Sequence, residues 1–140
     1  MRDKYFLDTN ILVYSVDLSD PLKRKPAREL VTEGATSKLG VISYQVVQEF
    51  VNVALRKFHT AVSPSDIEDF LRGVMFPMME IRSSPWLFLD ALRLRDLNQL
   101  SWFDSLIVAA AIQGGCKILY SEDMQHGRRF GDLVVQNPFL

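Results

Sequence analysis

Three aspartates stand where a short apolar run, or the turn after it, gives way to a helical segment: Asp8, Asp104 and Asp123. In an open parallel α/β sheet the functional crevice lies beyond the carboxyl ends of the strands, and Asp8 and Asp123 follow runs typical of central strands. Clustered carboxylates repel one another unless a cation lies between them, and hard oxygen ligands select Mg²⁺ or Mn²⁺. The sequence therefore predicts a divalent-metal site.

A fourth acid, Glu49, lies in a predicted helix from Ser43 to Phe58. At about 100° per residue, Glu49 projects just outside the apolar stripe of that helix. Ser43 is expected to cap the helix directly after a strand, which would place its first turns at the same edge of the sheet. A solvated surface glutamate is the alternative interpretation.

The aspartates also have ordinary structural roles open to them. Asp8 could be a helix N-cap, although Thr9 and Asn10 could cap in its place and leave Asp8 free for a metal. Asp104 is the third residue after Ser101, so the pair fits a capping box. These alternatives do not exclude the metal site, because an acid at the head of a buried helix can point into the crevice.

Glu122 and the two histidines are further candidates for metal ligands. Glu122 is a candidate fifth ligand, because adjacent acids at the end of a central strand are costly without a cation. The two histidines, His59 and His126, lack the i,i+4 partner of a helical zinc pair, so both are predicted to lie at the surface or behind the site.

Size and composition predict one soluble domain spanning residues 1–140. The chain is 48% apolar and carries 16 basic against 17 acidic residues, so bulk charge does not indicate a general nucleic-acid binder. Cys116 is the only cysteine, which excludes an internal disulfide and a cysteine-based zinc site. The start of the chain is too polar for a signal peptide and no stretch approaches a membrane span, so we expect a cytoplasmic protein without a membrane partner.

Strands and helices are predicted to alternate, in the order β-α-α-β-α-α-α-α-β-α-β. Helices are expected to begin at Ser63–Pro64 and Ser84–Pro85 and to end at Gly34 and Gly114–Gly115. The Met75–Met79 stretch could be core or an exposed patch. This order indicates an α/β fold with a mostly parallel sheet covered on both faces. The four predicted strands are Lys4–Leu7, Leu39–Ile42, Lys117–Tyr120 and Leu133–Val135.

Over essentially its whole length the chain resembles the PIN-domain ribonucleases, especially the VapC-like toxins of bacterial toxin–antitoxin pairs. The resemblance is carried by four motifs: Leu7-Asp8-Thr9-Asn10, Val47-Gln48-Glu49-Phe50, Asp104 opening the Ala-rich segment up to Ala111, and Ser121-Glu122-Asp123.

The resemblance implies a three-layer PIN-like fold and an endoribonuclease that depends on Mg²⁺ or Mn²⁺. It implies Asp8, Glu49, Asp104 and Asp123 as catalytic metal ligands, and it favours Asp123 over Glu122 as the fourth acid. It also implies an RNA substrate, a cognate antitoxin protein and a homodimer.

Five other residues are predicted to support this chemistry. Thr9, Asn10 and Ser121 could hold the carboxylates from behind or contact a phosphate oxygen. Arg128 and Arg129 follow Gly127, so a loop could carry them to the rim of the crevice to bind phosphate; a solvated pair is the alternative.

Two other functions are disfavoured because a required residue is missing, and two more remain open. A dehalogenase-type hydrolase would need a second aspartate where Asn10 stands, and a phospho-accepting receiver domain would need an aspartate after the Leu39–Ile42 strand. Another metal-dependent phosphohydrolase, or a PIN-like domain kept only for RNA or protein binding, would also fit the fold.

Overall fold

The computed structural model describes residues 2–58 and 62–140, so the prediction for His59 lies outside the described residues. The strands are β1 (Tyr5–Leu7), β2 (Gly40–Ser43), β3 (Met79–Ile81), β4 (Ile118–Tyr120), β5 (Arg129–Phe130) and β6 (Leu133–Gln136). The helices are α1 (Thr9–Val16), α2 (Pro21–Ser37), α3 (Tyr44–Lys57), α4 (Pro64–Phe70), α5 (Phe76–Met78), α6 (Pro85–Asn98) and α7 (Trp102–Gln113), and a π-helical turn, Leu71–Met75, joins α4 to α5.

The six strands form one sheet in the order β3-β2-β1-β4-β6-β5. All neighbouring pairs are parallel except β5 and β6, which are antiparallel. Helices cover both faces, so the predicted three-layer α/β fold with a mostly parallel sheet is confirmed. The strand order reverses beside β1, which lies between β2 and β4, and ligands of open α/β sheets bind at such a reversal.

The core lies between the central strands and the helices packed on them. β1 is buried along its whole length, and α7 is buried continuously from Ser105 to Ala111. This explains why α7 is apolar all round in sequence, since a helix buried on all sides needs no polar face. Met75 and Met78 are also buried, as the core interpretation of that stretch predicted, whereas Phe76 and Pro77 between them are exposed.

Two strands were missed in the sequence. β3 extends the sheet beyond β2, although its short run begins with Met79 and exposes Glu80. β5 forms a hairpin with β6 where the sequence predicted a helix. That prediction was wrong because residues 121–128 form turns, with Gly127 at a φ of 87°.

The predicted helix starts are confirmed, but one predicted end is wrong. Ser63 and Asp66 form a complete capping box, and Ser84 accepts a hydrogen bond from the Leu87 N–H. α2 passes through Gly34 to Ser37 and ends at Lys38, whose φ of 64° is left-handed. Gly34 instead allows close packing, because a Cβ there would lie 3.0 Å from the Cα of Gly40.

Across the two described ranges, none of the helices combines the length and the apolar character that crossing a bilayer requires.

Candidate functional site

The candidate site begins where β1 and β4 end side by side. The backbone N–H of Asp8 donates to the carbonyl of Tyr120 (3.0 Å), which continues the ladder between the two strands by one residue. Asp8 has an extended backbone (φ −68°, ψ 159°) and is the N-cap of α1. The end of the ladder therefore holds Asp8 beside the segment that starts at Ser121.

The Asp8 carboxylate is buried, with 7% of the residue exposed. One oxygen accepts from the Thr9 N–H (2.8 Å) and the other accepts from the Ser121 hydroxyl (2.8 Å). An ordinary N-cap side chain accepts from the second or third N–H of the helix, but this one accepts from the first. Asp8 thus caps α1 with one oxygen, while its other oxygen is held by Ser121 at the end of β4.

Burial raises the pKa of Asp8 to about 7, because an ionised carboxylate loses hydration inside the protein. Hydrogen bonds from Ser121 and Thr9 act in the opposite direction, and the nearby Asp123 and Glu49 carboxylates raise the pKa further by repulsion. Three of the predicted acids therefore lie close enough to disturb one another, and a cation among them would relieve that repulsion.

Glu49 reaches the site from α3. Ser43 caps this helix by accepting from the Val46 N–H (3.4 Å), as the sequence predicted. Glu49 is half-buried and accepts a hydrogen bond from the Thr9 hydroxyl (3.1 Å). Thr9 therefore contacts two acids, with its N–H on Asp8 and its hydroxyl on Glu49.

Asp123 lies at the exposed side of the site. Its carboxylate accepts from the Asn10 side-chain amide (3.1 Å), and its backbone N–H donates to the Ser121 hydroxyl oxygen (3.2 Å). The three residues predicted to support the acids, Thr9, Asn10 and Ser121, each contact at least one of them in the structure.

Asp104 lies in the first turn of α7 and is half-buried. Ser101 accepts from the Asp104 N–H (3.1 Å), but the carboxylate makes no return bond in the described structure, so only half of the predicted capping box forms. The Gln45 amide donates to the carbonyl of Phe103 (3.3 Å) and ties α3 to the start of α7. Gln45 was missed in the sequence, although it stands one helical turn before Glu49.

No hydrogen bond links the Asp104 carboxylate to the other acids among the described residues. Within the same residues, no three acidic, histidine or cysteine side chains are close enough together to hold an ion directly. The donor set nevertheless fits Mg²⁺ or Mn²⁺, because it consists of carboxylate oxygens and these ions retain several water ligands. The Asn10 side-chain oxygen is buried, has no hydrogen-bond partner among the described residues, and adds one more hard oxygen.

Glu122 already has a cation. One carboxylate oxygen accepts from the Lys23 ammonium group (2.7 Å) and from the Tyr14 hydroxyl (3.3 Å), while the other is buried with no partner in the part of the chain that the structure describes. His126 is exposed, and its Nδ1 accepts from the Asn137 N–H (3.0 Å). The structure gives both residues partners outside the four acids.

Arg128 and Arg129 also have other contacts. The Arg128 guanidinium donates to the carbonyl of Asn98 (2.6 Å) and lies 5.0 Å from the centre of the Phe130 ring. Arg129 pairs with Val134 in the β5–β6 hairpin, and Val134 pairs in turn with Ile118, the first residue of β4. Arg129 therefore lies at the opposite end of β4 from the acids. This placement does not support the hypothesis that the two arginines line the crevice.

Together these features define an α/β domain with an acidic cluster where the strand order of a parallel sheet reverses. A model of the PIN domain matches residues 5–129. The chain belongs to the PIN domain family, as its motifs predicted.

Solved structures share this fold over nearly the whole chain. FitAB bound to an IR36 DNA fragment matches with a TM-score of 0.69 at 14% identity, covering 97% of this chain and 96% of that one. VapBC2 from Rickettsia felis, bound to a DNA fragment from its promoter, gives 0.63 at 22% identity, with 95% and 97% covered. VapC20 of Mycobacterium tuberculosis, a toxin that cleaves the sarcin–ricin loop, gives 0.60 at 16% identity, with 86% and 90% covered. A search of curated proteins found no significant match.

Proposed function

We propose that this protein is a ribonuclease that depends on Mg²⁺ or Mn²⁺ and hydrolyses phosphodiester bonds within RNA. The observation that carries the proposal is the buried Asp8 carboxylate, which is fixed by Thr9 and Ser121 and lies beside the carboxylates of Glu49 and Asp123. A buried carboxylate that lies beside two other acids, with no cationic partner among the described residues, destabilises a protein, so a functional role for it is favoured. Membership of the PIN domain family supports the same conclusion.

Asp8, Glu49, Asp104 and Asp123 would hold the metal. When bound, a divalent ion lowers the pKa of a water ligand and neutralises charge on the phosphate. The protein supplies the positions: Ser121 and Thr9 fix both Asp8 oxygens, Thr9 also holds Glu49, and Asn10 holds Asp123. None of these roles requires a nucleophilic side chain.

We further propose that the protein is the toxin of a toxin–antitoxin pair, with a cognate antitoxin as partner and a homodimer as its own assembly. The toxin assignment is supported by the motifs shared with VapC-like proteins and by the fold shared with VapC20. Self-association is supported by α6, which exposes Trp86, Leu89 and Leu97 on one face. Light scattering coupled to gel filtration tests the dimer, and co-expression with the product of an adjacent gene tests the antitoxin.

The central test replaces Asp8 with Asn, which keeps the shape of the side chain and removes its charge. We expect Asp8→Asn to fold normally and to lose RNA cleavage by at least about 100-fold, because loss of groups that merely support metal ligands already costs about 10- to 100-fold. Asp96→Asn, which changes an exposed aspartate on α6, is the matched control and should cleave normally.

Cleavage of single-stranded and structured RNA should be measured with Mg²⁺, with Mn²⁺ and with EDTA, and Mn²⁺ binding should be measured by calorimetry. Wild-type protein that cleaves equally well in EDTA would exclude the metal-dependent mechanism. Wild-type protein that binds RNA but never cleaves it would favour a non-catalytic PIN domain.

A further inference from the structure

A cavity of about 150 Å³ opens among β2, α3, α6 and α7. Its wall includes three aromatic rings, two amides and one guanidinium, from Tyr44, Phe88, Phe103, Gln45, Gln48 and Arg82. Sequence reasoning did not identify these residues, because they come from four separate segments.

Two helices that line the cavity, α3 and α7, also carry the candidate metal ligands Glu49 and Asp104. Phe103 immediately precedes Asp104, and Gln45 lies four residues, or about one helical turn, before Glu49. The hydrogen bond from Gln45 to the Phe103 carbonyl joins the two helices at this point. A molecule whose phosphate reached the acids could therefore place its next group in the cavity.

The aromatic rings of the cavity are unusually accessible. Phe103 is 64% exposed, Tyr44 48% and Phe88 43%. Exposed aromatic faces are typical of sites that stack the bases of single-stranded nucleic acid, where truncating one ring to alanine lowers affinity by on the order of 5- to 150-fold. The rings therefore match the faces of a nucleobase.

The polar groups suit the rest of a nucleotide. The Gln48 amide carries both a donor and acceptor and makes no hydrogen bond within the described structure, so it is available to the edge of a base. Arg82 is exposed and has no ion pair among the described residues, so its guanidinium is available to a phosphate.

Size restricts the occupant to a single ring system. A water molecule takes up about 30 Å³ in the liquid, so the cavity holds the equivalent of about five waters. That space suits one base and is too small for a helix or a folded protein segment.

We propose that this cavity binds one base of a single-stranded RNA, next to the phosphodiester that is cut. Phe103 stacks on the base, Gln48 contacts its edge and Arg82 contacts the adjoining phosphate. This inference rests on the proposed ribonuclease function, and it assigns base preference to residues other than the acids.

The first arm of the test sequences the cleavage sites of wild-type protein in a pool of randomised single-stranded RNA. We expect a base preference at one position beside the cut. Phe103→Ala should lower kcat/KM on the preferred RNA by about 5- to 150-fold, mainly through KM, and Phe103→Trp should restore it. Gln48→Ala should flatten the preference. Phe76→Ala is the matched control, because Phe76 is also exposed but does not line the cavity. It should leave kcat/KM and the base preference unchanged.

The second arm measures binding without cleavage. Asp8→Asn protein is titrated with fluorescein-labelled oligonucleotides of each single base, with and without Phe103→Ala, and anisotropy is recorded. Loss of base discrimination in the double variant supports the inference even if wild-type protein cleaves no RNA, in which case only the proposed function fails.

Three results would overturn the inference. One is that Phe103→Ala and Gln48→Ala both keep the wild-type base preference and RNA affinity. Another is that the Asp8→Asn protein binds none of the oligonucleotides. The third is a change in the oligomeric state of Phe103→Ala without a change in RNA affinity, which would make this face a protein interface.

Discussion

Ser121 contacts two candidate ligands at once, since its hydroxyl donates to Asp8 and accepts from the N–H of Asp123. Ser121→Ala removes both contacts without adding bulk. We expect this change to weaken Mn²⁺ binding by about 10- to 100-fold and to lower RNA cleavage in parallel, because it releases the orientation of both acids.

Ser15→Ala is the matched control for Ser121→Ala. Ser15 is also a buried serine, but its hydroxyl donates to the Leu12 carbonyl within α1. Calorimetry with Mn²⁺ and a cleavage assay should distinguish the two variants. Equal Mn²⁺ affinity in wild-type and Ser121→Ala protein would contradict the role assigned to Ser121.

The raised pKa of Asp8 predicts how stability depends on pH when no metal is bound. Its pKa is about 7 in the folded protein against an ordinary value of 3.8, so the folded state holds this proton more tightly than the unfolded state. The free energy of unfolding should therefore fall as pH rises from about 4 to about 7, by up to about 1.4 kcal/mol per pH unit from this group, and level off above that range.

Urea unfolding in EDTA between pH 5 and pH 8 measures this dependence. Asp8→Asn cannot ionise, so its unfolding curves should lack the decline. Saturating Mn²⁺ should stabilise wild-type protein most above pH 7, where binding need not displace a proton. A decline of the same size in wild-type and Asp8→Asn protein would assign it to other groups.

The residues that support the acids could be predicted, whereas the partner of Glu122 could not. Thr9, Asn10 and Ser121 belong to the same short motifs as the acids, so their supporting positions followed from sequence. The partner of Glu122 is Lys23, which is 99 residues away. Nothing in the local sequence around Glu122 indicates that a lysine on α2 occupies one of its oxygens.

Among the elements, α2 and β2 meet at two glycines. A Cβ at Gly40 would lie 2.7 Å from the Cα of Gly34, so neither backbone can accept a side chain without moving. We expect Gly40→Ala to lower the free energy of unfolding by about 1–3 kcal/mol, the usual cost of overpacking.

Gly73→Ala is the matched control for Gly40→Ala. Gly73 lies in the π-helical turn, and a Cβ there would meet no atom of the described residues within 4 Å. Its replacement should be neutral or stabilising by up to about 1 kcal/mol, because alanine restricts the unfolded chain. Chemical denaturation measures both effects, and equal stabilities for the two variants would exclude the steric explanation.

The ends of α1 and α3 are joined by an ion pair between Asp17 and Lys57 (2.9 Å). Burial acts to raise the pKa of Asp17, but hydrogen bonds from Ser19 and Lys57 outweigh it and lower the pKa. Lys57→Ala leaves the Asp17 carboxylate, whose side chain is 3% exposed, without its cation. We expect a loss of about 1–3 kcal/mol near neutral pH.

Because the pKa of Asp17 is lowered, the stabilisation from its ionised form is present above the ordinary carboxylate range and is lost as pH falls. The effect of Lys57→Ala should therefore shrink in acid. Arg93→Ala, which breaks an exposed pair with Asp90, should cost less than about 1 kcal/mol at any pH. Thermal melts of both variants at acidic and neutral pH check this, and a pH-independent effect of Lys57→Ala would assign it to packing.

The central strands could be predicted because each is a compact buried run between turn or cap residues. β1, β2, β4 and β6 lie within about one residue of their predicted positions. β3 and β5 lie at the two edges of the sheet and contain three and two residues. β3 and β5 each bury only one side chain, so they carry little hydrophobic pattern, whereas β1, which also has three residues, is buried along its whole length.

For the whole molecule, alternating strands and helices were enough to predict a parallel sheet covered on both faces. The order of the strands was not predicted, because it depends on which buried runs pair. That order places β1 between β2 and β4 and so joins Asp8 to Ser121. The cavity beside the acids was also missed, because its residues come together only in the folded chain.

The hydrogen bonds from Ser121 to Asp8 and from Asn10 to Asp123 each connect residues 113 positions apart. A chain growing on the ribosome would expose Asp8, Glu49 and Asp104 before β4 could pair with β1. Ribosome-arrested chains in which residues up to Gly115, or up to Leu140, have left the exit tunnel should therefore differ in RNA cleavage, with activity confined to the longer chain. On the proposed function, a nascent chain would gain its activity only after β4 has emerged and completed the site.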